Sequence, residues 1–233
     1  MAIKDAMGDR QKKNYENRAK LYLYRRIPVI IRLDGKAFHT LTRRYCKKPF
    51  DDNLMDCMIE GAIAVAKEAM GTKCVYIQSD EVTMLLTDFD TLTTQAWFDY
   101  NQEKMVSVSS GIMSGTFSLA FGKLGAFDSR AWNSPKEEVA NNFYWRQRDW
   151  NRNSVNMFAR SFFSHKKMHG KSVPQVHDML HEIGENWALL NDRYKNGVFI
   201  TREEGSGWKV WDECPNFNTQ RDVIEDLMIP KED

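Results

Sequence analysis

The stretch VIIRLDGKAF places Val29, Ile30, Ile31 and Leu33 directly before Asp34 and Gly35. Apolar β-formers running into turn residues predict a buried strand over about residues 27–34. The pattern then changes period. Leu54, Met58, Ala62, Val65 and Ala69 recur at three and four, Asp51, Asp52 and Asn53 supply N-cap chemistry, and Gly71 can end the helix they predict. In CVYIQSDEVTMLLTDF, two apolar runs at 74–77 and 82–86 flank the polar QSDE, which predicts a hairpin. The order strand, helix, strand, strand is a βαββ unit. It predicts an α+β fold with an antiparallel sheet covered by helices on one face.

Further along, the pattern is mostly helical. Residues 8–26 read as a basic amphipathic helix with Tyr15, Ala19 and Tyr22 on its apolar face. Residues 93–116 read as a helix in which Ser107, Ser109, Ser110 and Gly111 would let another element approach closely. Pro135 opens one long helix over 136–163, and a shorter one covers 174–182. GVFITR and GWKVWD predict a closing hairpin that turns at 203–207. In the polar tail, Ile224, Leu227, Met228 and Ile229 predict a short docking helix. The organisation expected is a catalytic domain with helical additions over 1–200, and a hairpin arm and tail over 201–233.

Composition narrows the partners. Lys and Arg number 33 against 32 Asp and Glu, for a net charge of +1, so a polyanion must be met by local basic stripes such as 10–20 and 146–160. Cys46, Cys57, Cys74 and Cys214 show no CxxC or Cys/His metal spacing, which points to reduced thiols and against a structural zinc. The polar N-terminus lacks an apolar signal core and no apolar run is long enough to cross a bilayer. The expectation is a soluble, cytoplasmic protein with no membrane partner.

Chemistry enters through the acids. In a βαββ sheet the end of the first strand lies beside the next hairpin turn, which would gather Asp34, Asp80 and Glu81 within a few ångströms. Carboxylates so placed repel unless a cation intervenes, and hard oxygen ligands suit Mg²⁺. Two such ions are a device for phosphoryl or nucleotidyl transfer, and the Gly35 carbonyl could join the ligands. The alternative is that QSDE is an ordinary solvated turn. Arg32 shares a strand face with Asp34, and Lys36, Phe38, His39, Lys48 and Asp51 follow, a cluster able to hold triphosphate oxygens and stack a base. Taken singly, Phe38 reads as core before base platform, and His39 as a structural histidine.

Several blocks in order, RLDGKAFH, KPFDDNLM, QSDEVTML, AWFDYNQEK, FDSR, WRQRDWNRNS and RYKNG, resemble those of the tRNA-His guanylyltransferase family and its guanylyltransferase-like relatives. The resemblance covers most of residues 8–200. It implies a catalytic region like a polymerase palm that extends tRNA from its 5′ end, in the 3′-to-5′ direction, using ATP and GTP with two Mg²⁺ ions. A nucleotidyl group from ATP or GTP first activates the 5′ monophosphate. The 3′-hydroxyl of an incoming nucleoside triphosphate then attacks the activated phosphate. By the same resemblance Asp34, the Gly35 carbonyl and Asp80 hold metal, with Glu81 nearby as a catalytic acid. Lys36, Ala37, Phe38 and His39 wrap the activating nucleotide beside Ser79, while Arg32, Lys104 and Ser107 take a second triphosphate, and Lys48 and Asp51 match further family positions. Arg146, Gln147, Asp149, Asn153 and Ser154 contact RNA, and the assembly is a homotetramer whose neighbouring subunits grip one tRNA.

One departure bears on the substrate. Eukaryotic guanylyltransferases carry a histidine-containing HINNLY stretch after this block, whereas here Trp150-Asn151-Arg152-Asn153-Ser154-Val155 follows and the histidine is absent. That pattern resembles the branch that repairs truncated tRNA 5′ ends by templated addition. Two other readings keep the fold: a nucleotidyl cyclase that turns over ATP or GTP without RNA, and a tRNA-binding subunit without catalysis.

Overall fold

The computed structural model describes residues 5–203, 205 and 207–231. Helix α1 (Ala6–Asn14) comes first and is followed by strand β1 (Val29–Gly35). Helices α2 (Phe38–Tyr45) and α3 (Asp52–Glu68) cross over to β2 (Thr72–Gln78), which turns into β3 (Glu81–Leu86). Then come α4 (Gln102–Phe121), β4 (Phe127–Asn133) and the long α5 (Lys136–Ala159). Short helices α6 (His165–Met168), α7 (Val173–Glu182) and α8 (Asp192–Lys195) lead to β5 (Val198–Glu203), β6 (Gly207–Val210) and α9 (Asp222–Glu225). The described strands form one antiparallel sheet in the order β4-β1-β3-β2-β5-β6. The βαββ unit is therefore as expected, with β3 between β1 and β2.

Alternation along the strands divides the chemistry. Val29, Ile31 and Leu33 of β1, with Val75, Ile77, Val82 and Met84, pack against Met58, Ala62 and Val65 of α3 and Met105, Met113 and Phe117 of α4. Cys74, Tyr76 and Leu85 point the other way, onto Val139, Ala140 and Phe143 of α5 and onto Phe217, Ile224 and Met228 of the tail. Helices thus cover both faces, which corrects the expected single helical layer. The reason is α5: its apolar Val139, Ala140 and Phe143 are fully or almost fully buried and need a sheet face to cover them.

Three local expectations change. The helix over 8–26 stops at Asn14, and Glu16–Ala19 tightens into a 3₁₀ turn. Beyond it the backbone pairs with the start of α4 instead, through Leu23 N–H to the Tyr100 carbonyl and Gln102 N–H to the Leu21 carbonyl. Tyr15 and Tyr22 remain exposed rather than forming a packed face. The helix over 93–116 begins only at Gln102, because Phe98, Asp99 and Tyr100 hold left-handed φ angles of 51°, 51° and 57°. Asn101 then caps α4, accepting from the Lys104 N–H at 3.0 Å. Finally, β4 has no counterpart in the sequence reading. Its FDSRAWN alternates, but mostly with polar residues, as befits an edge strand bonded to β1 on one side.

Other expectations match. Asp51 caps α3 through its Oδ1, 2.8 Å from the Leu54 amide nitrogen. The Ser residues of α4 do bring it onto β4, with Ser109 Oγ 2.8 Å from Ser129 Oγ and Ser110 Oγ donating to the Phe127 carbonyl at 2.7 Å. The C-terminal hairpin pairs Arg202 with Trp208, and its turn residues 204 and 206 lie outside the described residues. In the tail Ile224 and Met228 dock, whereas Ile229 stays exposed. No helix among the described residues is long and apolar enough to cross a membrane.

Candidate active site

β1 ends where β2 turns into β3. The register pairs Asp34 with Glu81, and Gln78 with the same Glu81, so the β2–β3 turn consists of Ser79 and Asp80 alone. Gly35 N–H donates to the Asp80 carbonyl at 3.0 Å, tying the strand end to that turn. Ser79 takes a left-handed φ of 49°, and its hydroxyl donates to Asp80 Oδ1 at 2.9 Å. Gly35 has no room for a side chain, since a Cβ there would meet the Phe38 ring at 2.4 Å. Distant segments thus bring Asp34, Asp80 and Glu81 to one sheet end.

The three acids do not share one environment. Both oxygens of Glu81 are taken by Arg146 of α5, whose Nε and Nη2 each donate at 2.7 Å, in a pair whose side chains are only 12% and 13% exposed. Burial lifts the Asp34 carboxyl above the ordinary carboxylate range, Glu81 and Asp128 add repulsion, and Arg130 and Arg32 offset part of it. Burial also raises Asp80, against the stabilising Ser79 hydrogen bond, with Asp34 and Glu81 contributing further repulsion. Asp34 and Asp80 thus stand as the candidate cation ligands, and Glu81, expected nearby, is neutralised in a pair with Arg146. Consistently, no group of three or more His, Cys, Asp or Glu able to hold a metal occurs among the described residues.

These groups line an open cleft of about 500 Å³ between the strand ends and α5. Asp34, Ser79, Asp80 and Glu81 form one wall, and Arg146, Asp149, Asn153 and Arg160 the other. Asp128 was not anticipated as a site residue. It faces Asp34 across the β1–β4 pair and is ion-paired with Arg130 at 3.4 Å. Only the alternation of the unrecognised strand β4 could have placed it. The same face carries Arg32, whose guanidinium lies over Trp132 and Trp145 at 5.4 and 5.7 Å from the ring centroids.

The other expected residues divide between surface and interior. Lys36, Ala37 and His39 are exposed at the start of α2, where Ala37 holds a φ of 57° and its carbonyl accepts from the Thr40 N–H. Phe38 is 3% exposed and packs on Phe117 and Phe127, so its ring belongs to the core and is no base platform. Lys48 is exposed, while both Asp51 oxygens are used locally, by the Leu54 and Lys47 amides. Lys104 and Ser107 are exposed on α4, which covers the opposite face of the sheet, and neither lines the cleft.

On α5, Asp149 and Asn153 reach the cleft, but Gln147 and Ser154 are buried. Gln147 is 3% exposed and pins the tail, donating to the Pro215 carbonyl at 2.8 Å and accepting from the Phe217 amide at 3.0 Å. Ser154 is fully buried, donates to the Tyr194 carbonyl and accepts from Trp187 Nε1. Helical periodicity explains both: 147 and 154 are a heptad apart, on the inward stripe with Phe143 and Trp150.

Comparison with known proteins is in keeping with this geometry. The family profile described as tRNAHis guanylyltransferase matches residues 9–146. A tRNA(His) guanylyltransferase of Schizosaccharomyces pombe is 25% identical over 198 residues, covering 75% of this chain and 73% of that protein. A solved bacterial tRNA(His) guanylyltransferase (Thg1)-like protein in complex with ATP superposes with a TM-score of 0.90 at 38% identity, over 96% of this chain and 99% of that one. The corresponding complex with GTP gives 0.82, with the same identity and coverage. Strands, cleft and sequence agree: the chain is a nucleotidyltransferase and belongs to the tRNA-His guanylyltransferase family.

Proposed function

We propose that this chain is a template-dependent 3′-to-5′ nucleotidyltransferase that activates and extends tRNA 5′ ends with nucleoside triphosphates and Mg²⁺. The observation that carries this reading is the juxtaposition of Asp34 and Asp80, two carboxylates of raised proton affinity at the mouth of a polar cleft. Such a pair is electrostatically unfavourable by itself and becomes favourable once a divalent cation lies between substrate phosphates and protein. Two carboxylates, with the Gly35 carbonyl, fit Mg²⁺, which takes one or two acids and fills its remaining positions with water and phosphate oxygens. When bound, Mg²⁺ supplies neutralisation of the charge that develops on the phosphate and leaving oxygens.

The protein's own groups have distinct tasks in this reading. Glu81 locks Arg146 against the cleft wall through two hydrogen bonds, and this leaves the Nη1 end of the guanidinium for a phosphate oxygen. The turn at Ala37 presents the first N–H groups of α2 beside Lys36 and His39, a setting suited to the triphosphate of the activating ATP or GTP. Arg32 and Arg130 lie on the same sheet face for the incoming triphosphate. Lys104 and Ser107 lie on α4, outside the lining of that cleft. In the first transfer the RNA 5′-phosphate oxygen attacks the α-phosphorus of ATP or GTP and pyrophosphate leaves. In the second, the 3′-hydroxyl of the incoming nucleotide attacks the activated 5′ phosphate and the nucleoside monophosphate leaves.

Templated repair is favoured over obligatory G addition by the absent histidine in Trp150-Asn151-Arg152-Asn153-Ser154-Val155, and by similarity to proteins described as guanylyltransferase-like. The reading includes a cytoplasmic homotetramer. Incubation of a 5′-monophosphorylated tRNA lacking its first nucleotide with ATP, labelled nucleotides and Mg²⁺ tests it. Extension complementary to the opposing strand is expected. Addition of G regardless of the opposing base would exclude templated repair, and turnover of ATP or GTP to a cyclic nucleotide without RNA would replace it with the cyclase reading.

A further inference from the structure

Around α5 from the acid cleft, and bordering it at Asp149, lies a second open cavity of about 650 Å³. Trp145, Arg148 and Arg152 line it from α5, and His177 and Trp187 from the segment beyond. The spacing of the α5 residues, three and then four, puts them on one helical stripe. Trp187 is held in place: its Nε1 donates to the buried Ser154 hydroxyl at 2.9 Å, and its ring stands edge-on to His177 with centroids 5.7 Å apart. Trp145 is 52% exposed and is backed by the Arg146 guanidinium at 4.6 Å. Fixed aromatic rings beside cations are the parts from which single-stranded nucleic-acid sites are made.

The charges select among nucleotides. Arg152 is paired with Asp149 Oδ1 at 2.5 Å, which leaves that couple near neutral. Arg148 is exposed and has no side-chain hydrogen bond or ion pair among the described residues. The cavity therefore offers about one uncompensated positive charge, the complement of a single phosphodiester rather than of a triphosphate. Asp149 lines this cavity and the acid cleft alike, so the two adjoin around α5.

We propose that this cavity holds an unpaired nucleotide of the RNA substrate's 3′ strand, with its base against the tryptophan rings and its phosphate on Arg148. The inference rests on the proposed function: with the 5′ end at Asp34 and Asp80, the strand that opposes it runs over α5, and its single-stranded extension is the part that reaches the far side. Base-paired RNA cannot present a base face to Trp145 and Trp187, and an unpaired 3′ tail can.

The test compares two 5′-monophosphorylated RNA duplexes, one with a single-stranded 3′ tail and one blunt, by fluorescence anisotropy at fixed salt. The wild-type protein is expected to bind the tailed duplex about tenfold more tightly, the worth of one stacked base and its phosphate. Arg148→Gln is expected to lower the tailed affinity to the blunt level, while blunt binding weakens by no more than about threefold and activation of the blunt 5′ phosphate stays within about twofold of wild type. Equal binding of both duplexes by the wild type would overturn the inference and leave the proposed function standing. Loss of the tail's advantage in excess ATP would assign the cavity to a free nucleotide and also overturn it. Failure to bind either duplex would overturn the tRNA reading itself.

Discussion

The two faces of β1 do opposite work within seven residues. Val29, Ile31 and Leu33 are fully buried in the apolar cluster beneath α3 and α4. Arg32 and Asp34, between and just beyond them, face α5 and stay partly exposed, with Asp34 lining the cleft. The first face is satisfied as it stands, since burial of each side chain stabilises the fold by about 1.5–3 kcal/mol. The second is not: Asp34 is buried enough to lose hydration and lies among Glu81 and Asp128, with compensation only from guanidinium groups. A strand that anchors one side of its residues rigidly can hold the other side in a state that a folded protein would otherwise avoid, and that state is useful to a ligand able to relieve it.

Adjacent substitutions should expose this division. Asp34→Asn is expected to reduce nucleotidyl transfer about 10³-fold or more, the equivalent of several kcal/mol of lost charge stabilisation, with an unchanged or higher melting temperature. Its neighbour Leu33→Ala should do the reverse, lowering unfolding free energy by about 3 kcal/mol in a denaturant titration while the folded fraction keeps its turnover. A stable but inactive Leu33→Ala protein, or an unfolded Asp34→Asn one, would erase the distinction between the faces.

A smaller effect separates anchor from contact on α5. Gln147→Leu removes the side-chain hydrogen bonds to Pro215 and Phe217 and should lower stability by about 2 kcal/mol, because the buried backbone partners are left unpaired. RNA affinity of the folded protein should change by no more than about twofold, whereas a direct RNA contact would predict a larger loss with stability intact.

The smallest effect is on pH. Both Asp34 and Asp80 bind a proton more readily folded than unfolded. Their contribution to stability is therefore most favourable below the ordinary carboxylate range and is lost as pH rises through the raised folded values. In metal-free buffer, Asp34→Asn should gain stability over wild type as pH rises through that window, and the gap should close at lower pH. Added Mg²⁺ with ATP should shrink the gap at neutral pH. An unchanging difference across the titration would show that Asp34 is not strained.

How much of this could be read from the chain depended on how local the signal was. Asp34, Asp80 and Glu81 were placed together because apolar runs flanking the polar QSDE set a βαββ order, and the observed register brings the end of β1 to that turn. The α3 cap at Asp51 and the start of α5 after Pro135 were equally local signals. What was missed depended on tertiary context. The polar edge strand β4 carries no apolar signature, so Asp128 had no visible partner. Glu81 was expected beside the metal ligands, but its partner Arg146 comes to it on α5 from 65 residues away. Gln147 and Ser154 are polar letters in a charged helix, and only packing shows that they point inward. The left-handed run at 98–100 likewise has no clear mark in AWFDYNQEK.

The account stands or falls on Asp34 and Asp80 acting as one centre. The most direct measurement is single-turnover transfer of a labelled nucleotidyl group from ATP to a 5′-monophosphorylated tRNA by wild-type, Asp80→Asn and doubly substituted proteins, at saturating Mg²⁺. Residues that work as a unit lose nearly everything with the first substitution, so Asp80→Asn should fall about 10³-fold and Asp34→Asn in addition should take away little more. Transfer by Asp80→Asn within about tenfold of wild type would contradict the account.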